Sequence, residues 1–272
     1  MITTDTRDHV GMAVMITRDG GRSWSTRTLR AEGITPQLEC VTTTDCWVLG
    51  VHRIFFTHDG GRTWRSERTP SFRRRWVQYF SCATARRCWA GVIPDRASDH
   101  TPERIFATRD GGTSWKPVLR LSSHKEYLSR LSCTAPATCW AFDSLLSGRR
   151  VLSTSDGWQH WRVRKLPQES KVALIRCATA SVCYPLGNTV AEMSTDAGGS
   201  WTSVSIPRRV ARWGGLADIS CPTATRCWAV GVAGIALTSR GFTGTPGGII
   251  TTRTLVPSAS ALRGHRDLSP GA

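Results

Sequence analysis

The residues with the most distinctive chemistry in this 272-residue sequence are its ten cysteines. They form five pairs with the same C-x5-C spacing, and an aromatic residue follows each second cysteine. The pairs are Cys40 with Cys46, Cys82 with Cys88, Cys133 with Cys139, Cys177 with Cys183, and Cys221 with Cys227. Thiolates can bind zinc, but zinc sites need matched histidines or a second cysteine pair, and the spacing here offers neither. We therefore predict five local disulfides, and we expect no metal site and no cofactor.

Paired cysteines at regular spacing are typical of proteins that fold in an oxidising compartment. The first ten residues show no basic segment followed by an apolar one, so no signal peptide is recognisable. No stretch approaches the roughly 20 apolar residues that a membrane span needs. We expect a secreted or cell-surface protein without a membrane span, whose export signal is not part of this sequence.

A second repeat places an aspartate in a glycine-rich turn that ends in tryptophan. The run T-R-D-G-G-R-S-W at 17–24 recurs at 57–64, 108–115 and 194–201, and a divergent copy, T-S-D-G-W-Q-H-W, occupies 154–161. A carboxylate in such a turn can accept hydrogen bonds from backbone N–H groups, while glycine supplies positive φ angles. We assign a structural role to the five aspartates, which are Asp19, Asp59, Asp110, Asp156 and Asp196.

The elements that carry these residues are predicted to be short strands. An apolar residue stands two positions before each first cysteine, which is the period-2 pattern of a strand entering a hairpin. First cysteines follow one another at intervals of 42, 51, 44 and 44 residues, which suits a blade of four strands. The cysteine pair joins the first two strands of a blade, and the aspartate turn joins the last two.

This spacing predicts an all-β fold, a β-propeller of about six blades in one domain over 1–256. The alternative is a truncated seven-bladed propeller. The first blade is incomplete and consists of a half-blade at 11–29, and residues 257–272 are predicted to be a disordered tail because they are small, polar and terminal. The complete blades are expected at 36–68, 77–121, 128–167, 172–207 and 215–256.

The turn sequence S/T-x-D-x-G-x-x-W resembles the Asp-box, or bacterial neuraminidase repeat, of the sialidase-like superfamily. Combined with C-x5-C-W, the repeat also resembles secreted actinobacterial propellers related to the photosystem II assembly-factor family. The resemblance covers residues 12 to about 256. It implies that the Asp-boxes lie away from any ligand. Because strand direction alternates within a blade, the disulfides and the Asp-boxes are expected at the same end of the ring. It does not select a function, because propellers include hydrolases, lectins and scaffolds.

The formal net charge of +16 indicates an anionic partner, and nearly all of the excess is arginine. Because only four lysines are present, much of this bias fits GC-rich codon usage, and we do not favour nucleic acid as the partner. Arginine can bind a carboxylate with two hydrogen bonds, and adjacent tryptophan can stack on a sugar ring. The candidate ligand-binding residues are Arg53, Arg75, Trp76, Arg104, Arg150, Arg212 and Trp213. The alternative is that these arginines are ordinary solvated loop residues.

Two hypotheses of function remain open from the sequence. The favoured one is a monomeric, non-catalytic scaffold that binds an anionic protein or glycan through an Arg/Trp-rich face opposite the Asp-boxes. The alternative is an exo-sialidase-like glycoside hydrolase, which needs a tyrosine nucleophile activated by a glutamate. Tyr79 and Tyr127 are the candidate nucleophiles, and Glu126 is adjacent to Tyr127. The R-I-P signature of the sialidase family is not found in this sequence.

Overall fold

The computed structural model describes residues 2–4, 11–19, 22–30, 37–50, 53–68, 75–94, 103–121, 128–143, 150–167, 172–187, 191–204, 216–223, 226–231 and 236–240. The segment 257–272, for which the sequence predicts disorder, lies outside these ranges. The regular structure of the described residues consists of 22 short strands. None of the described residues belongs to a helix long and apolar enough to cross a membrane.

The strands form six antiparallel sheets that follow one another along the chain. The first, three-stranded sheet contains β1 (Ile2–Thr4), β2 (Gly11–Ile16) and β3 (Ser25–Arg30). The second contains β4 (Gln37–Cys40), β5 (Cys46–Leu49), β6 (Arg53–Thr57) and β7 (Arg65–Arg68). The third contains β8 (Arg75–Cys82), β9 (Cys88–Pro94), β10 (Arg104–Thr108) and β11 (Lys116–Arg120).

The remaining three sheets repeat the same arrangement. The fourth contains β12 (Leu128–Cys133), β13 (Cys139–Asp143), β14 (Arg150–Thr154) and β15 (Arg162–Lys165). The fifth contains β16 (Val172–Cys177), β17 (Cys183–Gly187), β18 (Ala191–Met193) and β19 (Thr202–Val204). The sixth contains β20 (Leu216–Thr223), β21 (Arg226–Gly231) and β22 (Ala236–Arg240).

Each sheet is a simple meander, and we number the sheets as blades 1 to 6. The first strands of blades 2 to 6 contact one another in sequence, β4 with β8, β8 with β12, β12 with β16 and β16 with β20. These strands therefore line the axis, and the last strand of each complete blade is an outer edge. Blades 2 to 5 have four strands, while three strands are described in blades 1 and 6.

All five disulfides are formed as the sequence predicts, so that every one of the ten cysteines is paired within its own repeat. Each bridge closes the hairpin between the first two strands of a blade, with its two Cα atoms 4.0 Å apart. We keep the name Asp-box as a label for the five aspartate turns whose sequence resembles that motif. The second cysteine is also the cross-strand partner of the residue that opens such a turn, as in the pair Cys88 and Thr108. The disulfides and the Asp-boxes therefore lie at the same end of the blades, which we call the disulfide end.

The hairpin of blade 6 departs from the uniform repeat that the sequence predicts. The two cysteines of blades 2 to 5 are direct cross-strand partners, whereas the register of blade 6 shifts between Ser220 and Thr223. Cys221 and Cys227 are bonded across this irregularity. Cys227 pairs with Ser239 on the third strand, but glycine stands two residues later, where the other blades carry the aspartate of the Asp-box. The predicted disulfide between Cys221 and Cys227 is confirmed in spite of this irregularity.

Four of the five second cysteines are buried in the core as well as bonded in disulfides, the half-buried Cys46 being the exception. Cys227 is 3% exposed and packs in the cluster that contains Tyr184 of blade 5 and Ile219 of its own blade. The other buried cysteine side chains are Cys82, Cys88, Cys133, Cys139 and Cys183. A disulfide is an apolar group when buried, so these bridges fill space between blades. Cys227 is accordingly a structural residue and not part of a ligand surface.

The Asp-box turn is held by its own side chains. In blade 2, the Asp59 carboxylate accepts hydrogen bonds from the Thr63 backbone N–H at 2.9 Å and from the Thr63 hydroxyl at 2.6 Å. The Thr57 hydroxyl donates to Asp59 and accepts from the Gly61 N–H. Gly61 has a φ of +79°, and a Cβ there would lie 2.6 Å from Ile16 of blade 1. Glycine is therefore required both by the backbone and by the approach of the preceding blade.

Five apolar clusters fill the spaces between consecutive blades. In each cluster, side chains of one blade pack on side chains of the next, from Met12 and Val48 at blades 1 and 2 to Tyr184 and Ile219 at blades 5 and 6. The tryptophan after the second cysteine is buried where its side chain is described, and Tyr184 takes its place in blade 5. Burial raises the pKa of Tyr184 to about 12, in keeping with a packing role.

Candidate functional site

The arginines that the sequence selects lie at the end of the blades opposite the disulfides, which we call the cationic end. In blade 3, Cys88 pairs with Thr108 and Val92 pairs with Arg104, so Arg104 lies at the other end of β10 from the Asp-box. Blade 4 repeats this register with the pairs Cys139–Thr154 and Asp143–Arg150. The structure therefore places Arg104 and Arg150 in equivalent positions of neighbouring blades.

Three consecutive blades carry a pair of cations at the cationic end. The first residue of the third strand is a half-buried arginine in each blade, and its cross-strand partner on the outer strand is also basic. The pairs are Arg53 with Arg68, Arg104 with Arg120, and Arg150 with Lys165. This recurrence comes from the blade repeat, since each third strand begins at the same register position.

Polar neighbours fix part of this surface. Arg53 donates a hydrogen bond to the Ser66 hydroxyl at 3.3 Å, which ties the third strand of blade 2 to its outer strand. The acidic side chain next to Arg104 is Glu103, which is buried and accepts a hydrogen bond from the Leu128 N–H at 2.9 Å. Glu103 therefore holds blade 4 against blade 3.

The other candidate ligand residues are only partly within the described ranges. Arg75 and Trp76 are the first two residues of β8, and they pair with Pro94 and Ile93 at the cationic end. The structure describes the backbone of these two residues and not their side chains. Arg212 and Trp213 lie outside the described residues, so their role at this end stays a prediction.

Tyr79 is the candidate nucleophile that the structure describes, and it is part of the core. Its side chain is 0% exposed and packs between blades 3 and 4. A Cβ at Gly91 would lie 1.8 Å from the Tyr79 ring, so the glycine makes room for this tyrosine on the neighbouring strand. The buried hydroxyl has no hydrogen-bond partner among the described residues. Tyr127 and Glu126 lie outside the described residues.

A polar network near the axis is a feature that the sequence analysis did not predict. In blades 2, 3 and 4, the residue before the first cysteine accepts a hydrogen bond from the N–H of the first cysteine in the next blade. Glu39 accepts from Cys82 at 3.2 Å, Ser81 accepts from Cys133 at 2.9 Å, and Ser132 accepts from Cys177 at 2.8 Å. The first strands are thus joined across blades 2 to 5 by a ladder that we call the axial ladder.

In blade 5 the same position is Arg176, which continues the network as an ion pair. Its guanidinium donates two hydrogen bonds to Asp218 of blade 6, both at 3.1 Å, and a third to the Leu131 carbonyl at 3.4 Å. Arg130 approaches the same carboxylate at 3.7 Å. Burial raises the pKa of Glu39, although Arg176 and the hydrogen bond from Ser81 oppose this effect.

The axial ladder surrounds an open cavity of about 470 Å³ at the disulfide end, lined by the first cysteines and their neighbours. Its polar groups already bind one another, so the described geometry is that of a brace between blades. The sequence signal for the axial ladder is the position before each first cysteine, which is polar in all five repeats. The residues at this position are Glu39, Ser81, Ser132, Arg176 and Ser220.

The acidic, histidine and cysteine side chains do not form a metal site in the part of the chain that the structure describes. Within these ranges, no three of them are grouped so that they could hold a metal ion.

Comparison with solved structures gives the fold class. YCF48 from Cyanidioschyzon merolae is 15% identical, with 83% of this chain and 73% of that chain covered and a TM-score of 0.57. The chain is a β-propeller. The calcium-binding protein regucalcin from Agrobacterium tumefaciens is 11% identical, with 82% and 74% of the two chains covered and a TM-score of 0.53. No protein-family model and no curated protein sequence matches the chain.

An enzyme is among the similar structures as well. An ancestral GH74 enzyme is 12% identical, with 93% of this chain but only 37% of that chain covered and a TM-score of 0.54. At these identities the similarity shows the fold alone, since propellers of one architecture carry unrelated functions. The function must therefore be argued from the described residues.

Proposed function

We propose that the protein is a non-catalytic binding propeller that recognises an acidic segment of a partner protein at its cationic end. The observation that carries this proposal is the recurrence of a cation pair at the same position of blades 2, 3 and 4. A single exposed arginine is common on protein surfaces. Basic residues that recur at equivalent strand ends of three blades form an ordered array of positive charge.

The chemistry of the array fits carboxylates. Guanidinium groups bind carboxylates with two parallel hydrogen bonds, and this geometry favours arginine over lysine at such sites. Because the arginines begin strands that are paired on both sides, little chain entropy is lost when they meet a ligand. Neighbouring blades present the cations in succession, which suits an extended acidic chain better than a single small anion.

The hydrolase alternative needs an accessible tyrosine hydroxyl, and that of the candidate Tyr79 is buried. Tyr79 lies in the core between blades, where a glycosidic carbon cannot reach its hydroxyl. Because the cations recur from blade to blade, we favour an extended protein segment over a glycan as the ligand. We expect no turnover of a fluorogenic sialoside.

We further propose that the six sheets are the blades of one ring over residues 1–256 and that the protein is exported. Five disulfides fit an extracellular or secreted protein, because cytosolic thiols are kept reduced.

The proposed function is tested by binding to fluorescein-labelled poly-L-glutamate at low ionic strength. Replacing Arg53 and Arg104 together by glutamine should weaken binding about tenfold, since two charge-assisted contacts are removed. The matched control is the double change Arg62→Gln and Arg86→Gln, which removes the same charge from two exposed residues of the disulfide end. Equal losses in both variants would show that net charge alone attracts the probe and would overturn the proposal.

A further inference from the structure

In the divergent Asp-box of blade 4, the tryptophan that packs on the preceding blade is Trp158, the fifth residue of the turn, and not the final residue Trp161. In the Asp-boxes of blades 2, 3 and 5, the fifth residue of the turn is glycine, and the final tryptophan packs towards the preceding blade. In blade 4 the fifth residue is Trp158, which keeps the glycine-like backbone with a φ of 76°. Its N–H donates to the Thr154 hydroxyl at 3.0 Å, as the Gly61 N–H does to Thr57 at 2.9 Å.

Trp158 fills the space between blades 3 and 4, and its side chain is 1% exposed in the cluster that contains Tyr79 and Trp89. The final tryptophan of this turn, Trp161, is consequently 44% exposed, whereas its counterpart Trp115 in blade 3 is 7% exposed. A left-handed backbone is uncommon for a bulky residue. The exchange therefore maintains the core with Trp158 and presents Trp161 at the surface.

Trp161 forms part of an exposed apolar surface on the side of blade 4 that faces blade 3. Val163 is 51% exposed and is the cross-strand partner of Leu152, which belongs to the cluster between blades 3 and 4. Trp161 immediately precedes β15 and occupies the repeat position at which Trp115 of blade 3 packs towards its preceding blade. Two large apolar groups are thus left in solvent beside the blade interface.

A groove of about 550 Å³ lies between blades 3 and 4 on this side. Its size is within the roughly 300–1,000 Å³ of ligand-binding clefts. Arg87, Arg109 and Lys116 supply positive charge to its lining, and Pro117 and Val118 of the outer strand β11 supply an apolar wall. Arg109 and Lys116 are exposed.

Asp156 is the acidic residue among the described residues that line the groove, and it is already engaged. The Asp156 carboxylate accepts hydrogen bonds from the His160 N–H at 3.0 Å and contacts the His160 ring Nδ1 at 2.7 Å. The hydrogen bond from the His160 backbone has the largest effect, followed by the contact with the His160 ring. Together they lower the pKa of Asp156 to about 2, so its carboxylate is charged at neutral pH. Three cations against one carboxylate leave this lining with a net positive charge.

We propose that this groove, together with the exposed Trp161 and Val163 that follow its lining residue Gln159 along the chain, binds an extended acidic peptide that carries apolar residues. Acidic side chains of the peptide meet Arg109 and Lys116, and its apolar side chains cover Trp161 and Val163. Partly exposed tryptophan beside cations is the composition of protein-binding surfaces, where a large aromatic group supplies most of the binding energy. This site is separate from the cationic end, because it involves the Asp-box turns at the other end of the blades.

The proposal is tested by selecting peptides from a random dodecapeptide library displayed on phage and measuring their affinity by fluorescence anisotropy. The enriched peptides should be acidic and contain an aromatic or aliphatic residue. Trp161→Ser should weaken their binding about tenfold, and so should Arg109→Gln combined with Lys116→Gln. The matched controls are Trp24→Ser, which changes the 52% exposed Asp-box tryptophan of blade 1, and Arg62→Gln. Melting temperatures establish that each variant is folded.

The outcomes separate this site from the proposed function. Selected peptides that lose affinity in the Arg53 and Arg104 variant, and not in the groove variants, would belong to the cationic end and would overturn the groove proposal. Failure to enrich acidic peptides would overturn it as well. Self-association, or binding to phosphatidylglycerol vesicles, that depends on Trp161 without peptide binding would assign the groove to another occupant and would also overturn it.

Discussion

At the residue scale, the Asp-box carboxylates are the most strongly perturbed exposed groups among the described residues. The hydroxyl and N–H of Ser23, followed by the Thr17 hydroxyl, lower the pKa of Asp19 to about 2. The pKa values of Asp59, Asp110 and Asp196 are lowered by the same kinds of hydrogen bond. These contacts favour the charged carboxylate, so they couple the turn to the protonation state of its aspartate.

This coupling predicts acid-sensitive stability. Because folding lowers these pKa values below the unfolded value of about 3.9, their stabilisation is complete above that pH. It is lost as the pH falls towards about 2, the pKa of Asp19 and Asp156 in the folded protein. Urea midpoints should therefore fall steeply below about pH 4. The variant Asp19→Asn with Asp156→Asn should show a shallower fall, and an unchanged slope would contradict the assignment.

A second prediction at this scale concerns the exchanged tryptophan of blade 4. Trp158→Gly removes a fully buried ring from the space between blades 3 and 4 and should lower the free energy of unfolding by about 3 kcal/mol. Relief of the left-handed backbone offsets a smaller amount. Trp161→Ser serves as the control, since this partly exposed ring should have a much smaller effect in the same urea titration. Similar decreases in the free energy of unfolding for both variants would contradict the assignment of Trp158 as the packing residue.

At the scale of elements, the strands and their pairing follow from the repeat. The C-x5-C spacing predicts the hairpins and all five disulfides, because the two cysteines and the following aromatic residue recur at the same spacing in each repeat. Strand alternation also predicts that the disulfides and the Asp-boxes share an end. The equivalent positions of Arg53, Arg104 and Arg150 follow in the same way, since each residue begins a third strand.

Blade 6 shows where the repeat stops determining the local register. Its spacing from Cys221 to Cys227 is the same as in the other blades, and yet the strand pairing shifts beside this bridge. The spacing fixes the number of residues in the hairpin but not the way in which they are paired. A disulfide can span both arrangements, so the cysteines alone could not reveal the irregularity.

The axial ladder could not be derived from local pattern. Its hydrogen bonds join residues 43 to 52 positions apart, such as Cys82 with Glu39 and Cys133 with Ser81, and they depend on how neighbouring blades dock. The divergent turn of blade 4 is visible in the sequence, but the choice between Trp158 and Trp161 as the packing residue is not. That choice is decided by the preceding blade, which either approaches the turn closely or leaves room for a ring.

The ladder predicts a position-dependent cost of removing serine hydroxyls. Ser81→Ala and Ser132→Ala each leave a backbone N–H of the next blade without its acceptor, which should cost about 1–3 kcal/mol. Both serines are buried. Ser220 occupies the same repeat position in blade 6 and is exposed, so Ser220→Ala is the matched control and should change the urea midpoint little. Equal effects at the three positions would contradict an inter-blade role.

At the scale of the whole molecule, the proposed function assigns ligand binding to the cationic end, which holds the arginine pairs and a share of the net charge of +16. The disulfide end holds the bridges, the Asp-boxes and the axial ladder, which stabilise the blades, and the proposed groove lies beside the Asp-box turns of blades 3 and 4. Residues at strand ends and turns can vary without loss of the core, which is how rigid scaffolds carry functional residues.

Hydrogen exchange of the protein with bound poly-L-glutamate tests the central claim, that the cationic end is the ligand surface, most directly. We predict slower exchange in peptides that begin the third strands, covering 53–56, 104–107 and 150–153, and no change in the Asp-box turn at 57–64. The variant Arg53→Gln with Arg104→Gln should lose this protection. Protection confined to the Asp-box turns, or protection that survives in the variant, would contradict the account.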